Sequence, residues 1–377
     1  MKLYLIFHGR FPSEKAASLF AAKSAEAFAL QGLEVELIVP RRRGVSRDPF
    51  YFYSVKRTFK VVYTYTIDLF DKIPNFLAFW KSYIAFSLSS ALYIRGHAKS
   101  EDIVYSNEAL PLFFISFFHK NCFYEMHDFP ESKLSFFGWL LSRMRWILVH
   151  NEWKEKRVLS MFPKTRGKLL MERNAVDVNA FDIGLSKIDA RRKLGLSEEG
   201  VLVLYTGHLY RWKGVYTLVD AARMMPSDVS VVFVGGTVSD IATLREYAEG
   251  VKNLTFVGHR PHQDMPLWQA TADVLVLPNS ASEKISAYYT SPMKLFEYMA
   301  SRRPIVVTDL PSIMEIAGDD TATVVAPDDA NALIAGIEMA VSDTAGSEVK
   351  TQKGYMWVSE HTWDKRALRI ITFIQSR

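Results

Sequence analysis

The sequence predicts an α/β protein with two domains, each built around a parallel β-sheet. Short apolar runs alternate with segments of helical periodicity along the whole chain, which is typical of successive βα units. A length of 377 residues is typical of two domains. Hydrophobic residues make up 49% of the chain, which allows a core in each domain and excludes a disordered chain. We expect domains at residues 1–175 and 176–360, followed by a helical segment at 361–377.

The first domain is predicted to begin with a strand, a loop, a helix and a second strand, at residues 2–7, 8–15, 16–31 and 34–39. The loop contains a single glycine, Gly9, and so lacks the Gly-x-Gly-x-x-Gly pattern of a dinucleotide site. This departure disfavours an NAD or FAD enzyme. Further strands of this domain are predicted at residues 103–105, 122–126 and 146–150.

The loop at residues 8–15 contains candidate ligand contacts. Ser13 can cap the helix that follows, and Glu14 is predicted in the first helical turn, where a negative charge suits the helix dipole. We expect backbone amides near Gly9 to contact a ligand. A simple capping loop is the alternative interpretation.

Residues 50–92 are rich in aromatic side chains with basic residues between them, and they follow the basic run at 41–43. We interpret this region as a helix-rich insertion that packs on the sheet. The alternative is an acceptor groove or a membrane-facing patch, because aromatic and basic side chains together suit both. The basic residues that support this alternative are Arg57, Lys60, Lys72 and Lys81.

The second domain has the same βα rhythm. Helices are predicted at residues 216–225 and 330–341, and an amphipathic terminal helix at 360–374. The predicted strands lie at residues 201–205, 229–234, 253–257, 274–277, 305–307 and 323–325.

The loop at residues 206–214 follows the first strand of the second domain, where parallel sheets bind ligands. Arg211 and Lys213 can neutralise a diphosphate, since arginine offers a bidentate fork and lysine a point charge. The alternative is a pair of exposed surface cations.

A second candidate site begins at Ser291. Ser291 is a good N-cap, Pro292 suits the first helical turn, and the helix can run to about Arg302. A helix start aimed from the end of a parallel strand favours phosphate. Glu297 lies too deep in the helix to cap it, and its carboxylate can accept hydrogen bonds from hydroxyls. Phosphate binding beside a diol-binding acid suggests a sugar nucleotide.

The segment from Tyr289 to Ala300 resembles the donor-site motif of retaining glycosyltransferases of the two-Rossmann-domain (GT-B) type, group 1, also called family 4. That motif has two glutamates separated by seven residues. Glu297 is the second glutamate, and Tyr289 stands in place of the first. The loop at 207–214 resembles the family's Gly-Arg-Leu…Lys-Gly loop, with His208 in place of the arginine. The resemblance covers essentially the whole chain and implies two Rossmann-like domains facing each other across a cleft, with the C-terminal helix crossing back to the first domain.

The resemblance also assigns roles to residues. His127, just after a strand of the first domain, corresponds to a histidine near the transferred sugar in similar enzymes, and the turn at Gly258 corresponds to one that contacts the nucleobase. The implied catalytic residues are His127, Arg211 and Lys213; the donor contacts are His208, Gly258, His259, Tyr289, Thr290, Ser291, Lys294 and Glu297; and the acceptor or donor loop contains Gly9, Ser13 and Glu14.

The implied reaction is metal-independent transfer of a sugar, with retention, from a nucleoside-diphosphate sugar to a saccharide or lipid-linked saccharide, in surface polysaccharide or glycolipid synthesis. The expected partners are a sugar nucleotide, that acceptor and an anionic membrane surface, which the net charge of +5 suits. We expect no cofactor, no metal site and no nucleic-acid partner, because no metal-ligand spacing and no nucleic-acid module occurs. The single cysteine and the lack of a long apolar run predict a cytoplasmic protein. The basic, aromatic-rich region of the first domain suggests that it is peripheral on the inner face of a membrane.

Two alternatives stay open. A sugar-nucleotide 2-epimerase of the same fold would need no acceptor. A non-catalytic partner subunit would keep the fold without the reaction, and Tyr289 and His208 both depart from the family motif in a way that suits it.

Overall fold

The structure is a computed structural model that describes residues 1–44, 47–70 and 72–376. Asp71, within the aromatic-rich region, and Arg377, at the end of the predicted terminal segment, lie outside the described residues.

The chain divides into two compact units. The first unit comprises Met1–Arg173 together with Trp363–Arg377, and the second comprises Asn174–Thr362. Each unit contains one sheet in which all neighbouring strands are parallel. The predicted α/β class with two parallel sheets is confirmed.

The first unit has a seven-stranded sheet in the order β3-β2-β1-β4-β5-β6-β7. The strand β3 lies in the aromatic-rich region that was predicted to be helical, so that prediction is wrong in part. The strands are β1 Lys2–Ile6, β2 Glu34–Pro40, β3 Lys60–Thr64, β4 Ile103–Ser106, β5 Cys122–Met126, β6 Trp146–Val149 and β7 Leu169–Met171.

Seven α-helices accompany this sheet in the described residues of the first unit. The terminal helix begins at Trp363, three residues later than predicted. The backbone N–H of Val176 donates to His361 O, and this bond holds the residues just before the helix extended. The helices are α1 Ala16–Leu30, α2 Pro49–Tyr53, α3 Asn75–His97, α4 Ala109–Ile115, α5 Leu134–Arg143, α6 Glu152–Met161 and the terminal α15 Trp363–Gln375.

The second unit has a six-stranded sheet in the order β10-β9-β8-β11-β12-β13, which is the order of a doubly wound dinucleotide-binding fold. All six strands occur where the sequence predicts them, to within a residue or two. They are β8 Val201–Thr206, β9 Val229–Val234, β10 Leu254–Gly258, β11 Val274–Leu277, β12 Ile305–Thr308 and β13 Thr323–Val325.

Helices cover both faces of this second sheet, so its strands are apolar on both sides. Leu202 and Leu204 of β8 pack into one core, while Val203 and Tyr205 pack into the other. The helices are α7 Lys187–Lys193, α8 Val215–Met224, α9 Val238–Tyr247, α10 Met265–Ala270, α11 Met293–Ala300, α12 Pro311–Met314, α13 Ala330–Ser342 and α14 Thr344–Ser359.

Throughout the part of the chain that the structure describes, no helix combines the length and the apolar character that a membrane span requires.

Candidate functional site

The strands β8 and β11 are neighbours at the point where the strand order of the second sheet reverses. The loops that follow two such strands diverge and leave a ligand crevice. Here the two loops are tied together, because Ser280 N and Ser286 Oγ both donate to the carbonyl oxygen of Trp212, at 3.0 and 3.2 Å. The loop after β8 and the segment before α11 therefore form one candidate site.

The loop at residues 207–214 is held in a defined shape. Tyr205 Oη donates to His208 O at 2.6 Å, and the His208 ring stacks on Tyr210 with their centroids 5.0 Å apart. Gly214 ends the loop at a φ of 70°, and a Cβ there would lie 1.7 Å from Pro278 O. Only glycine fits at 214, and its backbone brings the two loops together.

Two lysines converge on this crevice. Lys213 Nζ lies 3.7 Å from the centroid of the Trp212 ring, and Lys294 Nζ lies 3.9 Å from that of Tyr205. Lys294 Nζ is also beside Gly207, where a Cβ would approach it to 2.9 Å. It is buried without a hydrogen-bond partner. Within the described residues neither lysine forms an ion pair.

The pKa of both lysines is lowered, and burial is the main cause. Burial lowers the pKa of Lys213 to about 7. Burial and then the charge of Lys213 hold the pKa of Lys294 well below its usual range, and Glu297 offsets this only in part. Two desolvated, mutually repelling ammonium groups are costly unless an anion joins them. The geometry therefore fits a bound anion with more than one negative charge.

The start of α11 differs from the sequence prediction. Ser291 was predicted to be the N-cap, but Pro292 holds that position and no side chain caps the helix. Ser291 lies one residue further out, its carbonyl accepts from Asn174 Nδ2, and its hydroxyl is buried with no hydrogen-bond partner in the described residues. The unused hydroxyl of Ser291 and the unused ammonium of Lys294 both belong to this helix start, which by itself favours an anion.

Tyr289 and Thr290 lie just before this helix. Ile285–Tyr289 forms a π-helical turn, a rare conformation that is frequent at functional sites, and Thr290 ends it in an extended conformation. Both side chains are half-buried. Their roles as donor contacts stay predictions.

Glu297 has a partner that the sequence did not indicate. Its side chain is almost buried, and Oε1 accepts a hydrogen bond from His262 Nε2 at 2.8 Å. His262 lies 35 residues away in sequence, on a turn that follows β10, so no local pattern could have identified it. The imidazole fixes the orientation of the carboxylate predicted to bind hydroxyls.

Gly258 and His259 lie at the carboxyl end of β10. Gly258 has a φ of 81°, and a Cβ there would meet the Ile241 side chain at an ordinary contact distance of 3.8 Å, so its backbone conformation rather than a close contact requires glycine. The backbone N–H of Gly235 donates to Gly258 O at 2.8 Å. His259 is exposed. The turn is available to a ligand, and its role in base recognition stays a prediction.

Arg211 faces a different direction from the lysine pair. It is exposed, with its guanidinium 4.8 Å from the centroid of the Tyr216 ring, and it lines a shallow pocket with Asp240 and Thr243. Lys213, and not Arg211, is the cation that acts on the pKa of Lys294. The predicted phosphate role of Arg211 stays a prediction.

The loop at residues 8–15 of the first unit corrects two expectations. The helix α1 has Lys15 as its N-cap with no side-chain cap, and Glu14 lies exposed before the helix rather than in its first turn. Ser13 does not cap α1, because its hydroxyl pairs with Ser18 Oγ at 2.7 Å and its backbone is held by Tyr53 Oη. A Cβ on Gly9 would overlap the Phe7 ring at 2.2 Å, so glycine is required there.

The same edge of the first sheet contains polar groups that the sequence did not single out. The backbone N–H of His8 donates to Glu108 Oε1 at 3.3 Å, and its ring contacts Ser82 Oγ at 3.1 Å. Burial and the charge of Arg42 lower the pKa of His8 to about 3, so the ring is neutral near pH 7. Burial raises the pKa of Glu108. These groups follow β1 and β4, where the strand order of the first sheet reverses.

His127 belongs to a buried polar cluster. Its Nε2 lies 3.4 Å from Glu125 Oε1, and His150 Nε2 lies 3.2 Å from the same oxygen. Arg366, from the terminal helix α15, donates to that oxygen at 2.6 Å, and Tyr105 Oη donates to the other one. Burial alone would raise the pKa of Glu125, but Arg366 and His127 outweigh it and hold that pKa well below its usual range.

The side chains of Glu125, His127 and His150 present three atoms within 4.8 Å of one another, a spacing that could hold a metal ion. The sequence prediction of no metal site rested on local spacing and could not detect this set. Arg366 already donates to one oxygen of Glu125, and Tyr105 donates to the other. A metal ion would therefore have to displace a buried arginine. We therefore interpret the cluster as an ion pair that fixes the end of β5, where His127 lies.

The second unit matches a known family. A family model described as "Glycosyl transferases group 1" matches residues 200–343. An uncharacterized glycosyltransferase of Methanocaldococcus jannaschii is 27% identical over 233 residues, or 59% of this chain and 57% of that protein. The putative teichuronic acid biosynthesis glycosyltransferase TuaC of Bacillus subtilis is 29% identical over 152 residues, or 40% and 36%. This chain spans about half the length, or less, of these curated relatives.

Solved structures resemble the whole chain. Sucrose-phosphate synthase from Thermosynechococcus elongatus has a TM-score of 0.80 at 19% identity, over 100% of this chain and 98% of that one. Anabaena HepE, solved in complex with UDP and glucose, has a TM-score of 0.76 at 16% identity, over 100% of both chains. At these identities the likeness concerns the fold. That likeness shows the GT-B fold for the chain, and the family match shows that residues 200–343 are similar to the group 1 glycosyltransferases.

Proposed function

We propose that this chain is a retaining, metal-independent glycosyltransferase whose second unit binds a nucleoside-diphosphate sugar. The observation that carries the proposal is the lysine pair at the switch point, because Lys213 and Lys294 have no counter-ion among the described residues. The HepE structure that contains UDP and glucose supports a uridine diphosphate sugar as the first donor to test.

In the proposed complex, the diphosphate lies between Lys213 and Lys294 and accepts from the Ser291 hydroxyl and the first amides of α11. Glu297, oriented by His262, binds the ribose hydroxyls. Backbone groups at Gly258 and His259 contact the base. His208, Tyr289 and Thr290 complete the predicted donor contacts.

The proposed reaction breaks the bond between the anomeric carbon and the diphosphate oxygen. The acceptor hydroxyl attacks from the face that the leaving group vacates, and its proton passes to the departing phosphate. The two lysines stabilise the negative charge that develops on the diphosphate, a role that a metal ion fills in other transferases. His127 is a proposed contact of the sugar or the acceptor.

The proposed acceptor is a saccharide or lipid-linked saccharide used in surface polysaccharide or glycolipid synthesis, reached by peripheral association with an anionic membrane. The name of TuaC, which refers to teichuronic acid biosynthesis, supports a polysaccharide pathway. Gly9 and the loop after it, in the first unit, are the proposed acceptor contacts.

A donor screen tests the proposed activity. The full chain is incubated with single sugar nucleotides, with and without a mixture of lipid-linked saccharides, and released nucleoside diphosphate is measured. Release that depends on acceptor supports transfer. An epimerised sugar nucleotide formed from donor alone would favour the epimerase, and failure to bind any nucleoside diphosphate in calorimetry would favour a non-catalytic subunit.

We expect Glu297→Gln to weaken UDP binding by about tenfold or more, because a hydrogen bond to a charged group contributes about 1.5–3 kcal/mol. The same substitution should leave the affinity for 2′,3′-dideoxy-UDP unchanged, since that ligand lacks the hydroxyls that Glu297 would bind. Calorimetric titration of both ligands gives the comparison. Equal losses for the two ligands would instead mean that Glu297 acts on the fold through His262.

We expect UDP binding to take up protons at about pH 8. Lys213, with a pKa of about 7, and Lys294, whose pKa is also lowered, are then largely neutral in the free protein, and the diphosphate favours their charged forms. The affinity should therefore fall as the pH rises from about 6 to 9. Calorimetry in two buffers of different ionisation enthalpy measures the uptake, and Lys213→Met should reduce it. No uptake at pH 8 would contradict this protonation change.

A further inference from the structure

The first unit has an exposed apolar surface that its core does not need. On α3, Ile84, Leu88 and Leu92 follow one another at intervals of four residues and are 45%, 45% and 71% exposed. Phe117 and Phe118, just after α4, are 59% and 42% exposed. A contiguous apolar area on a protein surface marks an interaction site more often than chance.

Side-chain contacts join these positions into one surface. Arg95 of α3 lies over the Phe118 ring at 5.9 Å, and Phe117 packs against Trp139 of α5 with the centroids 5.5 Å apart. Arg143 of α5 lies over both Phe117 and Trp139, at 5.2 and 5.0 Å. We call this surface, formed by residues 75–97, 109–120 and 132–146, the α3–α5 face.

The charge of the α3–α5 face has one sign. Its three segments contain no aspartate and no glutamate. Their basic residues are Lys81, Arg95, Lys120, Lys133, Arg143 and Arg145. Aromatic and aliphatic side chains flanked by cations suit the interface of an anionic bilayer, where apolar groups insert and cations meet the headgroups.

Other occupants fit this composition less well. In a two-fold dimer the same surface would face itself, and cations without carboxylates would repel one another. Nucleic acid is bound by basic grooves and aromatic stacking, whereas Ile84, Leu88 and Leu92 of α3 are aliphatic and offer no ring on which a base could stack. We therefore propose that the α3–α5 face docks this protein on an anionic lipid bilayer.

The position of α3 relates the docking surface to the proposed acceptor loop. Phe79 and Tyr83 of α3 contact the His8 ring, with centroids 5.5 and 4.7 Å away, and His8 directly precedes Gly9. The helix that would lie on the lipid therefore also borders the loop that we propose to contact the acceptor. The inference rests on the proposed function, which includes peripheral association with an anionic membrane, and it adds the surface that makes the contact.

Vesicle flotation tests the proposal without any donor or acceptor. We expect the wild-type chain to float with vesicles of phosphatidylcholine and phosphatidylglycerol, to float little with phosphatidylcholine alone, and to be released by high salt. Leu92→Glu with Phe117→Glu should reduce the partition coefficient at least about tenfold, because each change removes an apolar side chain from the contact. Arg95→Gln with Arg143→Gln should reduce it about fivefold for each cation removed.

The matched control is Met339→Glu with Val349→Glu, which alters two side chains of the second unit that are each 57% exposed. This control should float like the wild type. Each variant should give the same calorimetric result with UDP as the wild type, whether or not the wild type binds it. Flotation that is independent of anionic lipid, or unaffected by the α3–α5 changes, would overturn the proposal. So would a dimer, detected by light scattering, that Leu92→Glu with Phe117→Glu dissociates. Binding of UDP without flotation would refute the docking and leave the proposed donor site standing.

Discussion

Replacing both Lys213 and Lys294 by methionine is expected to weaken UDP binding by about a hundredfold or more. Each lysine would make a charge-assisted hydrogen bond to the diphosphate that contributes about 1.5–3 kcal/mol. Methionine keeps an unbranched stem that can still pack on the rings of Trp212 and Tyr205, so the loop should keep its shape. Calorimetric titration with UDP measures the loss.

The same double variant is expected to be more stable than the wild type. In the free protein Lys294 Nζ is buried without a hydrogen-bond partner, and an unsatisfied buried group costs about 1–3 kcal/mol. Removing it should raise the temperature of thermal unfolding in the absence of ligand, and UDP should no longer raise it further. A gain in stability together with a loss of binding is typical of a residue retained for its ligand.

The matched control is Lys252→Met, because Lys252 is exposed between α9 and β10. It should change neither the affinity for UDP nor the unfolding temperature. If the double variant binds UDP as the wild type does, the diphosphate assignment is wrong. If it binds poorly but also unfolds at a lower temperature, the lysines support the fold and the loss of binding is indirect.

The sequence predicted most of the fold because the parallel strands are apolar on both faces. Such runs, as in β8 and β11, stand out from the helical segments between them. The strand β3, Lys60–Thr64, was not predicted, because it lies among aromatic residues whose hydrophobic pattern has neither the helical nor the strand period. It is also an edge strand with only one neighbour. Helix ends were less predictable, and α11 begins at Met293 without the expected serine cap.

The candidate site was predictable where it depends on local sequence and unpredictable where it depends on tertiary contacts. Lys213 lies in the loop after β8 and Lys294 at the start of α11, and the fold brings them to one crevice. His262 beside Glu297 could not be predicted, since a hydrogen bond across 35 residues leaves no local pattern. The contact between Arg366 and Glu125 was even harder to predict, because the two residues are 241 apart in sequence. In the sequence Arg366 is one of several cations on an amphipathic terminal helix.

The second large effect is expected from this ion pair in the first unit. Replacing Arg366 by methionine should lower the free energy of unfolding of this unit by about 3–5 kcal/mol, the usual cost of leaving a buried charge without its partner. Glu125 is fully buried, and Arg366 also donates to Arg173 O at 2.9 Å, so solvent cannot replace the guanidinium. Urea unfolding followed by fluorescence measures the change, with the first unit taken as its own transition.

Arg369→Met is the matched control on the same helix. Arg369 pairs with Glu172 at 2.7 Å but is 40% exposed, so its loss should cost only about 0–1 kcal/mol. Combining Glu125→Gln with Arg366→Met should recover part of the stability, because a neutral amide then replaces the buried carboxylate. A cost for Arg366→Met no larger than that for Arg369→Met would show that the buried pair does not hold α15 to this unit.

The pH dependence of the stability lost in Arg366→Met shows whether the lost charge or the lost packing causes it. In the wild type the lowered pKa of Glu125 contributes stability above its ordinary value of 4.5, and this contribution is lost as the pH falls toward the folded-state pKa. In Arg366→Met burial would raise the pKa of Glu125, so the variant should lose stability as the pH rises. The difference between the two proteins should therefore be larger at about pH 8 than at about pH 5. A difference that does not change with pH would assign the effect to lost packing of the arginine side chain rather than to its charge.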